Sequence, residues 1–187
     1  MPATQDDVDR IHAYRLLAHA EIQNFIEDLV EGILAQSENM FDSRGHITHA
    51  AHHLVVYDAV LKLSDKRNAS EASYPMFSSA SIQLVQKIQL ESAVRSHRKK
   101  LKLNSGVKAS NLRPLLGPLG YRDVWFPLSF MDQMDAFGAS RGDVAHSSGL
   151  IGASQWPSGS SELATVKALQ PGLKAIDVYA ARVLMPV

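Results

Sequence analysis

The chain has 187 residues, with 19 basic and 19 acidic side chains, so its formal net charge is zero at neutral pH. This balance argues against a general role in coating polyanions, although it leaves room for local basic patches. Because there is no cysteine, disulfides and cysteine-ligated zinc are excluded. The length is typical of one domain with a substantial core, and we predict a single domain over residues 1–187.

We expect a cytoplasmic protein that makes no contact with membranes. The first ten residues hold three acids, Asp6, Asp7 and Asp9, but no apolar segment, so they do not look like a secretory signal. No apolar run approaches the roughly 20 residues that span a bilayer. The lack of cysteine agrees with a reducing compartment.

A first helix is predicted from a cap at Asp6 or Asp7 to about Ala35. Apolar residues recur along it at steps of three and four. They are Ile11, Tyr14, Ala18, Ile22, Phe25, Leu29 and Ile33. Its other face is acidic and is best interpreted as solvated. The alternative is that Glu21 or His19 lines a groove beside a functional site.

A loop is predicted over residues 36–45, and a second helix over residues 46–64. Three histidines of this helix, His46, His49 and His53, fall within about 60° of arc. Imidazole is a common zinc ligand, but no carboxylate lies among them. We therefore predict no metal site and interpret these histidines as a partly exposed polar face or an interface patch.

A third helix is predicted over residues 78–103, with Ile82, Val85, Ile88 and either Leu84 or Ala93 on its apolar side. Its second half is basic, with six cations and no acid between residues 95 and 108. They are Arg95, Arg98, Lys99, Lys100, Lys102 and Lys108. Two interpretations stay open: a solvated helix end that the helix dipole favours, or a track for RNA phosphates.

A short helix over residues 111–116 is predicted next, and the glycines and proline of residues 117–120 break it. The aromatic residues that follow are interpreted as core rather than as a surface for stacking bases. They are Tyr121, Trp125 and Phe126. A further long helix is predicted to start at Pro127, with a bend at Gly138.

The last helix is predicted to open at Ser160 or Ser161, with a kink or a break at Pro171-Gly172. The sequence shows no convincing alternation of the kind that marks strands, no internal repeat and no glycine-rich nucleotide-binding pattern. Four long helices and one or two short ones predict an all-α bundle.

The helix that starts at Pro127 leads into Phe137-Gly-Ala-Ser-Arg141-Gly-Asp-Val-Ala-His146, an Arg-x4-His motif. It pairs a permanent cation with the side chain that titrates near neutral pH. A histidine can take a proton from a ribose 2′-hydroxyl or give one to the leaving oxygen. A guanidinium can stabilise the charge that builds on the phosphate. The motif therefore holds the two kinds of group that phosphodiester cleavage needs.

The run Leu128-Ser-Phe-Met-Asp-Gln-Met-Asp-Ala-Phe137, followed by Arg141-Gly-Asp-Val-Ala-His146, resembles the HEPN superfamily, whose signature is an R-x4-6-H motif closing a core helix. With Leu115-Leu-Gly-Pro-Leu-Gly-Tyr121 before it, the chain looks most like the RiboL-PSP-type branch. The resemblance covers residues 8–184, with specific residues only in 111–148. It implies a HEPN-like helical bundle, a homodimer with a composite cleft, and metal-independent RNA cleavage without a cofactor.

On this resemblance, His146 is expected to be the general acid and base, and Arg141 the ligand of the phosphate and the transition state. Supporting contacts to the substrate are expected from Asp143, Ser147, Arg95, Arg98, Lys99 and Lys100. The expected role is defence, toxicity or stress response. RNA is the expected partner, and an antitoxin or another defence protein is a further candidate.

Gly142 stands where many HEPN ribonucleases carry Asn, Asp or His. The alternative is therefore a catalytically inactive HEPN module that binds RNA or a partner protein. A third interpretation is a structural dimerisation bundle whose enzyme lies on another chain. In that case Arg141 only stabilises the helix end and His146 only caps it.

The spacing of the motif poses a geometric problem, because residues five apart on a straight helix point about 140° away from each other. Arg141 and His146 pair if the helix ends near Asp143 and lets the histidine swing round. They also meet if two copies of the motif face each other across a twofold axis.

Overall fold

The computed structural model describes residues 4–65, 79–146 and 158–187. Six α-helices form this part of the chain, and within it the only extended pairing is an isolated bridge between Thr48 and Pro186. The helices are α1 (Gln5–Arg44), α2 (His49–Asp65), α3 (Ser79–Lys102), α4 (Ala109–Leu116), α5 (Phe130–His146) and α6 (Gly159–Val183). The prediction of an all-α protein is confirmed.

The chain divides into two compact units, each assembled from separate segments. Unit 1 comprises Met1–Asp28, Ser105–Arg113 and Arg122–Asp177. Unit 2 comprises Leu29–Asn104, Pro114–Tyr121 and Val178–Val187. Among the helices in the described ranges, none is both long and apolar enough to cross a membrane.

The N-terminus of α1 is closed by a capping box. The backbone N–H of Asp7 donates to the Thr4 hydroxyl at 3.2 Å, and the backbone N–H of Thr4 donates to the Asp7 carboxylate at 3.0 Å. The Thr4 hydroxyl also donates to the Asp7 carboxylate at 2.7 Å, and this bond, together with the one from the Thr4 N–H, lowers the pKa of Asp7. The cap is therefore Thr4, and the prediction of Asp6 or Asp7 as the cap is corrected.

The first helix continues to Arg44, so the predicted loop over residues 36–45 is wrong. A buried line runs on past the predicted end through Leu34, Ser37 and Phe41, at steps of three and four. Ser37 tolerates a core position because its hydroxyl shares a 2.9 Å hydrogen bond with that of Thr48. The helix stops at Gly45, whose φ of 66° is left-handed.

The second helix begins at His49, three residues later than predicted. Thr48 precedes it, and the Thr48 hydroxyl accepts from the Ala51 backbone N–H at 3.0 Å. The C-terminal segment lies beside this start, because His49 N–H donates to the Met185 carbonyl at 2.9 Å. This packing fixes the end of the chain within unit 2.

The buried side of α3 agrees with the predicted one only at Ala93. Leu90, Ala93, Val94 and His97 are buried at steps of three, one and three, as on one face of a helix. The other residues predicted to form the apolar side are largely exposed instead. They are Ile82, Val85 and Ile88, at 46%, 40% and 57% exposed.

In the aromatic link that follows α4, two of the three residues are buried, as predicted. Tyr121 and Phe126 are buried, and Trp125 is half-buried. The Phe126 and Phe130 ring centroids lie 5.4 Å apart. This contact joins the link to the start of α5.

The last helix continues through Pro171, so of the predicted kink or break the break is wrong. Leu169 and Ile176, on either side of the proline, are completely buried. Gly172 lies directly against the Phe130 ring, which leaves no room for a side chain. Tight packing on both sides of Pro171 offsets the loss of one helical hydrogen bond.

Candidate functional site

The Arg-x4-His motif occupies the C-terminal turns of α5. The helix includes both Arg141 and His146, so the hypothesis that it ends near Asp143 is wrong. In a regular helix, positions five residues apart are separated by about 140° around the axis. The positions of the motif side chains, Asp143 included, and the whole of Ser147 lie outside the described residues.

The inner face of α5 positions these turns within unit 1. Phe130, Met134 and Phe137 are buried at steps of four and three. His19 of α1, which is 3% exposed, stacks on Phe137 with ring centroids 5.8 Å apart and planes inclined by 19°. His19 therefore contacts α5 one turn before Arg141. The sequence analysis gave His19 as one of two residues that could line a groove beside a functional site. Glu21, the other candidate for that position, is exposed.

A buried ion pair contacts the backbone of α5 at Ser140, the residue before the motif arginine. Arg15 Nε donates to Glu162 Oε2 at 2.9 Å, and Arg15 Nη2 donates to Glu162 Oε1. The remaining terminal nitrogen, Nη1, donates to the Ser140 carbonyl at 3.4 Å. One guanidinium from α1 thus holds both α6 and the backbone of α5 next to Arg141.

The sequence pattern did not identify this pair, because it assigned Arg15 to no face of α1 and made no use of Glu162. A signal was present: Arg15, His19, Ile22 and Ile26 follow one another at steps of four, three and four, so the two polar residues fall on the core line. Tyr14, which was predicted to be apolar core, is 37% exposed.

Two further contacts hold α5 against the chain around α4. The Asp135 carboxylate accepts a 2.8 Å hydrogen bond from the Ala109 N–H, at the first residue of α4. Gly138 lies against Lys108, and a β-carbon there would come within 2.6 Å of the lysine side chain. Gly138, predicted as a bend, thus permits a close approach. The Asp135 carboxylate, because it lies at the N-terminus of α4, also offsets the dipole of that helix.

The basic residues of α3 belong to unit 2, and the structure separates them by role. Arg98 Nη2 lies 2.7 Å from Glu31 Oε1 and 3.0 Å from Glu38 Oε2, so its charge is neutralised within the protein. Lys100 Nζ lies 4.6 Å from the centroid of the Tyr57 ring. Arg95 and Lys99 line an open cleft with Lys102. The predicted phosphate track is therefore not one uniform surface.

A buried histidine follows the apolar line of α3. His97 is 2% exposed, and its Nε2 donates to the Leu115 carbonyl at 3.0 Å. Burial lowers the pKa of His97 to about 4; the Leu115 hydrogen bond opposes this shift and the charge of Lys100 adds to it. His97 is therefore neutral near pH 7 and packs as part of the core.

The histidines at the start of α2 do not form a metal centre with neighbouring acids. His46, His49, His52 and His53 are exposed, and His46 precedes the helix. Across the described ranges, no three His, Cys, Asp or Glu side chains are grouped so that they could hold a metal ion. Their exposure agrees with both interpretations given for these histidines, a polar face or an interface patch.

Comparison with known proteins returned no match to a family model, to a curated protein or to a solved structure.

Proposed function

We propose that this protein is a HEPN-type endoribonuclease that cleaves RNA without a metal ion, with Arg141 and His146 as its catalytic residues. The observation that carries the proposal is the anchoring of α5. The motif occupies the last turns of this helix. Arg15, which forms a buried ion pair with Glu162, donates a hydrogen bond to the carbonyl of Ser140 immediately before the motif.

This anchoring favours a functional interpretation of the motif over a merely solvated helix end. A buried ion pair contributes little net stability compared with apolar residues of similar size, because desolvating both charges is costly. A pair that also reaches a backbone carbonyl can instead fix the position of a helix end. Catalytic groups require such support, because small displacements from the productive geometry cost rate.

The proposed reaction is attack of a ribose 2′-hydroxyl on the adjacent phosphorus. A bond forms between the 2′-oxygen and phosphorus, and the bond from phosphorus to the 5′-oxygen breaks, which leaves a 2′,3′-cyclic phosphate and a 5′-hydroxyl. His146 moves the proton, taking it from the nucleophile or giving it to the leaving oxygen. Arg141 stabilises the negative charge on the phosphate oxygens.

The proposal includes a homodimer, because Arg141 and His146 of a single unbroken helix point about 140° apart. Two motifs that face each other across a twofold axis bring an arginine of one protomer near a histidine of the other. A cytoplasmic role in defence, toxicity or stress response, with an antitoxin as a candidate partner, belongs to the same proposal and rests on the resemblance alone.

The test is cleavage of a labelled single-stranded RNA by purified protein in EDTA, between pH 5 and pH 9. Products ending in a cyclic phosphate support the proposal, provided that His146→Ala abolishes them. If the wild-type protein binds the RNA but leaves it intact at every pH, the catalytic proposal fails and the non-catalytic HEPN module replaces it.

A further inference from the structure

A cleft of about 450 Å³ lies between α1 and α3 in unit 2, and its walls carry charged side chains. The residues that line it are Glu38, Glu91, Arg95, Arg98, Lys99 and Lys102. Four cations and two carboxylates therefore share one concave surface. Such a surface favours a ligand that carries negative charge and can also donate hydrogen bonds.

Arg98 is the structural member of this set. Its Nε donates to Glu31 at 2.9 Å, and its Nη2 pairs with both Glu31 and Glu38. These contacts tie α3 to α1 and use the charge of Arg98 inside the protein. Arg98 therefore shapes the cleft, and its capacity to bind an external anion is small.

The other three cations are placed to bind. Arg95, Lys99 and Lys102 follow one another at steps of four and three, so they form a row on one side of α3 about 10 Å long. None of them forms a salt bridge with any residue in the described ranges. Lys100, between them in sequence, projects over Tyr57 and does not line the cleft.

Glu38 adds a hydrogen-bond acceptor whose charge is partly offset by Arg98, which it shares with Glu31. Its carboxylate lies 3.0 Å from Arg98, and its side chain remains 27% exposed. Because Arg98 offsets its charge, Glu38 repels a bound phosphate less than a free carboxylate would. A ribose 2′-hydroxyl can donate to such an oxygen, whereas DNA lacks this donor.

We propose that this cleft binds the ribose–phosphate backbone of single-stranded RNA. Arg95, Lys99 and Lys102 contact phosphates, and Glu38 accepts a hydrogen bond from a 2′-hydroxyl. The choice of RNA as the ligand rests on the proposed function. The binding site itself lies outside the Arg141–His146 motif, so it can be tested without any cleavage.

The experiment measures the affinity of the full chain for a labelled single-stranded oligoribonucleotide in EDTA over a tenfold range of salt. Each phosphate contact contributes about 0.7 to the log–log salt slope of a single strand. The variant R95Q/K99Q/K102Q should therefore lower the slope by about 2. The ratio of wild-type to variant affinity should change about 100-fold over that range.

The matched control is R44Q/K62Q/R182Q, which removes the same charge from exposed positions of unit 2 but none of it from the cleft. The control should keep a slope close to that of the wild-type protein. Equal losses in both variants would overturn the proposal, because general charge would then explain binding. An unchanged slope in the cleft variant, or no RNA binding by the wild-type protein, would overturn it as well.

The role of Glu38 is tested by comparing RNA with DNA of the same sequence. Glu38→Ala should reduce the preference for RNA, while Glu91→Ala should leave it unchanged. A preference that survives the Glu38 change removes the carboxylate from the proposal. Cleavage is scored separately, so a protein that binds RNA here but does not cut it refutes the catalytic function and leaves the cleft standing.

Discussion

Arg15 near the start of the chain and Glu162 near its end form a bidentate ion pair whose side chains are only 8% and 7% exposed. The guanidinium has one more contact, a 3.4 Å hydrogen bond to the Ser140 carbonyl. The Arg15 guanidinium thus has two roles. It joins α1 to α6 through the ion pair, and it contacts the backbone of α5 just before the motif.

The two roles of this pair are separable by mutation. Glu162→Ala should destabilise the protein by about 3–5 kcal/mol in urea denaturation, because Arg15 stays buried without its partner. The double variant R15M/E162L should recover most of that loss, since apolar residues often replace a buried pair at little cost.

The double variant also tests the positioning role. If the pair aligns the motif, R15M/E162L should fold with near-normal stability yet cleave RNA more slowly, chiefly through kcat, because the Ser140 carbonyl has lost its donor. Cleavage at the wild-type rate by the stable double variant would show that the pair is only a structural contact.

Gly172 gives a test of packing with a built-in comparison. Gly172→Ala should destabilise the protein by about 1–3 kcal/mol, since the new methyl group meets the Phe130 ring. Gly32→Ala makes the same chemical change on α1, where no described atom beyond the local helix backbone lies within 4 Å of the added carbon. It should stabilise the protein by about 0.5–1 kcal/mol. Thermal unfolding of both variants measures the opposite signs; a stabilised Gly172→Ala would contradict the packing described here.

His97 predicts a loss of stability in mild acid. Its pKa is about 4 in the folded protein, against an ordinary value of 6.5, so the unfolded chain takes up the proton first as the pH falls. Stability should therefore decline between about pH 6.5 and pH 4, by up to about 3 kcal/mol from this residue.

Denaturant unfolding at several pH values measures this decline. His97→Gln keeps a donor for the Leu115 carbonyl but does not titrate, so its stability should depend less on pH over that window. The control His49→Gln changes an exposed histidine and should keep the wild-type dependence. An identical pH profile for wild type and His97→Gln would assign the decline to other groups.

The helical fold was predictable because its main signal is local. Steps of three and four recur in every long helix. The ends near Gly45 and Thr48 were missed, although a glycine and a capping hydroxyl mark them. The positions of α5 and of the motif near its end follow from the same pattern. The break predicted at Pro171 did not occur, because distant packing around Leu169 and Ile176 decides there.

The buried polar residues were beyond a local pattern. Arg15 and His19 occupy core positions because Glu162 and Phe137 meet them, and both partners lie more than a hundred residues away in the chain. On α3 the sequence offers apolar residues on two sides. Only packing within unit 2 selects Leu90 and Val94 over Ile82 and Ile88. Long-range contacts therefore decided what periodicity left open.

A homodimer is expected from the orientation of the motif. Sedimentation equilibrium at tens of micromolar should show a dimer, and a crosslink placed near the C-terminal turns of α5 should join two protomers. A monomer at these concentrations would contradict the composite site. A dimer whose crosslinks map only to other faces would contradict it too.

The central prediction concerns the rate of cleavage. His146→Ala should lower cleavage by about 10²–10⁴-fold, the usual contribution of a general acid or base. Arg141→Ala should cost a similar factor, and Arg141→Lys should recover little of it, since an ammonium lacks the planar fork that fits a phosphate. Circular dichroism and sedimentation should be unchanged, because both residues lie at the end of α5.

His19→Gln serves as a control for the loss of a histidine near the motif, since His19 stacks on Phe137 one turn before Arg141. It should lower stability more than it lowers the cleavage rate of the folded protein. If His146→Ala cuts RNA as fast as the wild-type protein while His19→Gln does not, His19 on α1 is the histidine that moves the proton. The proposed catalytic role of His146 is then wrong.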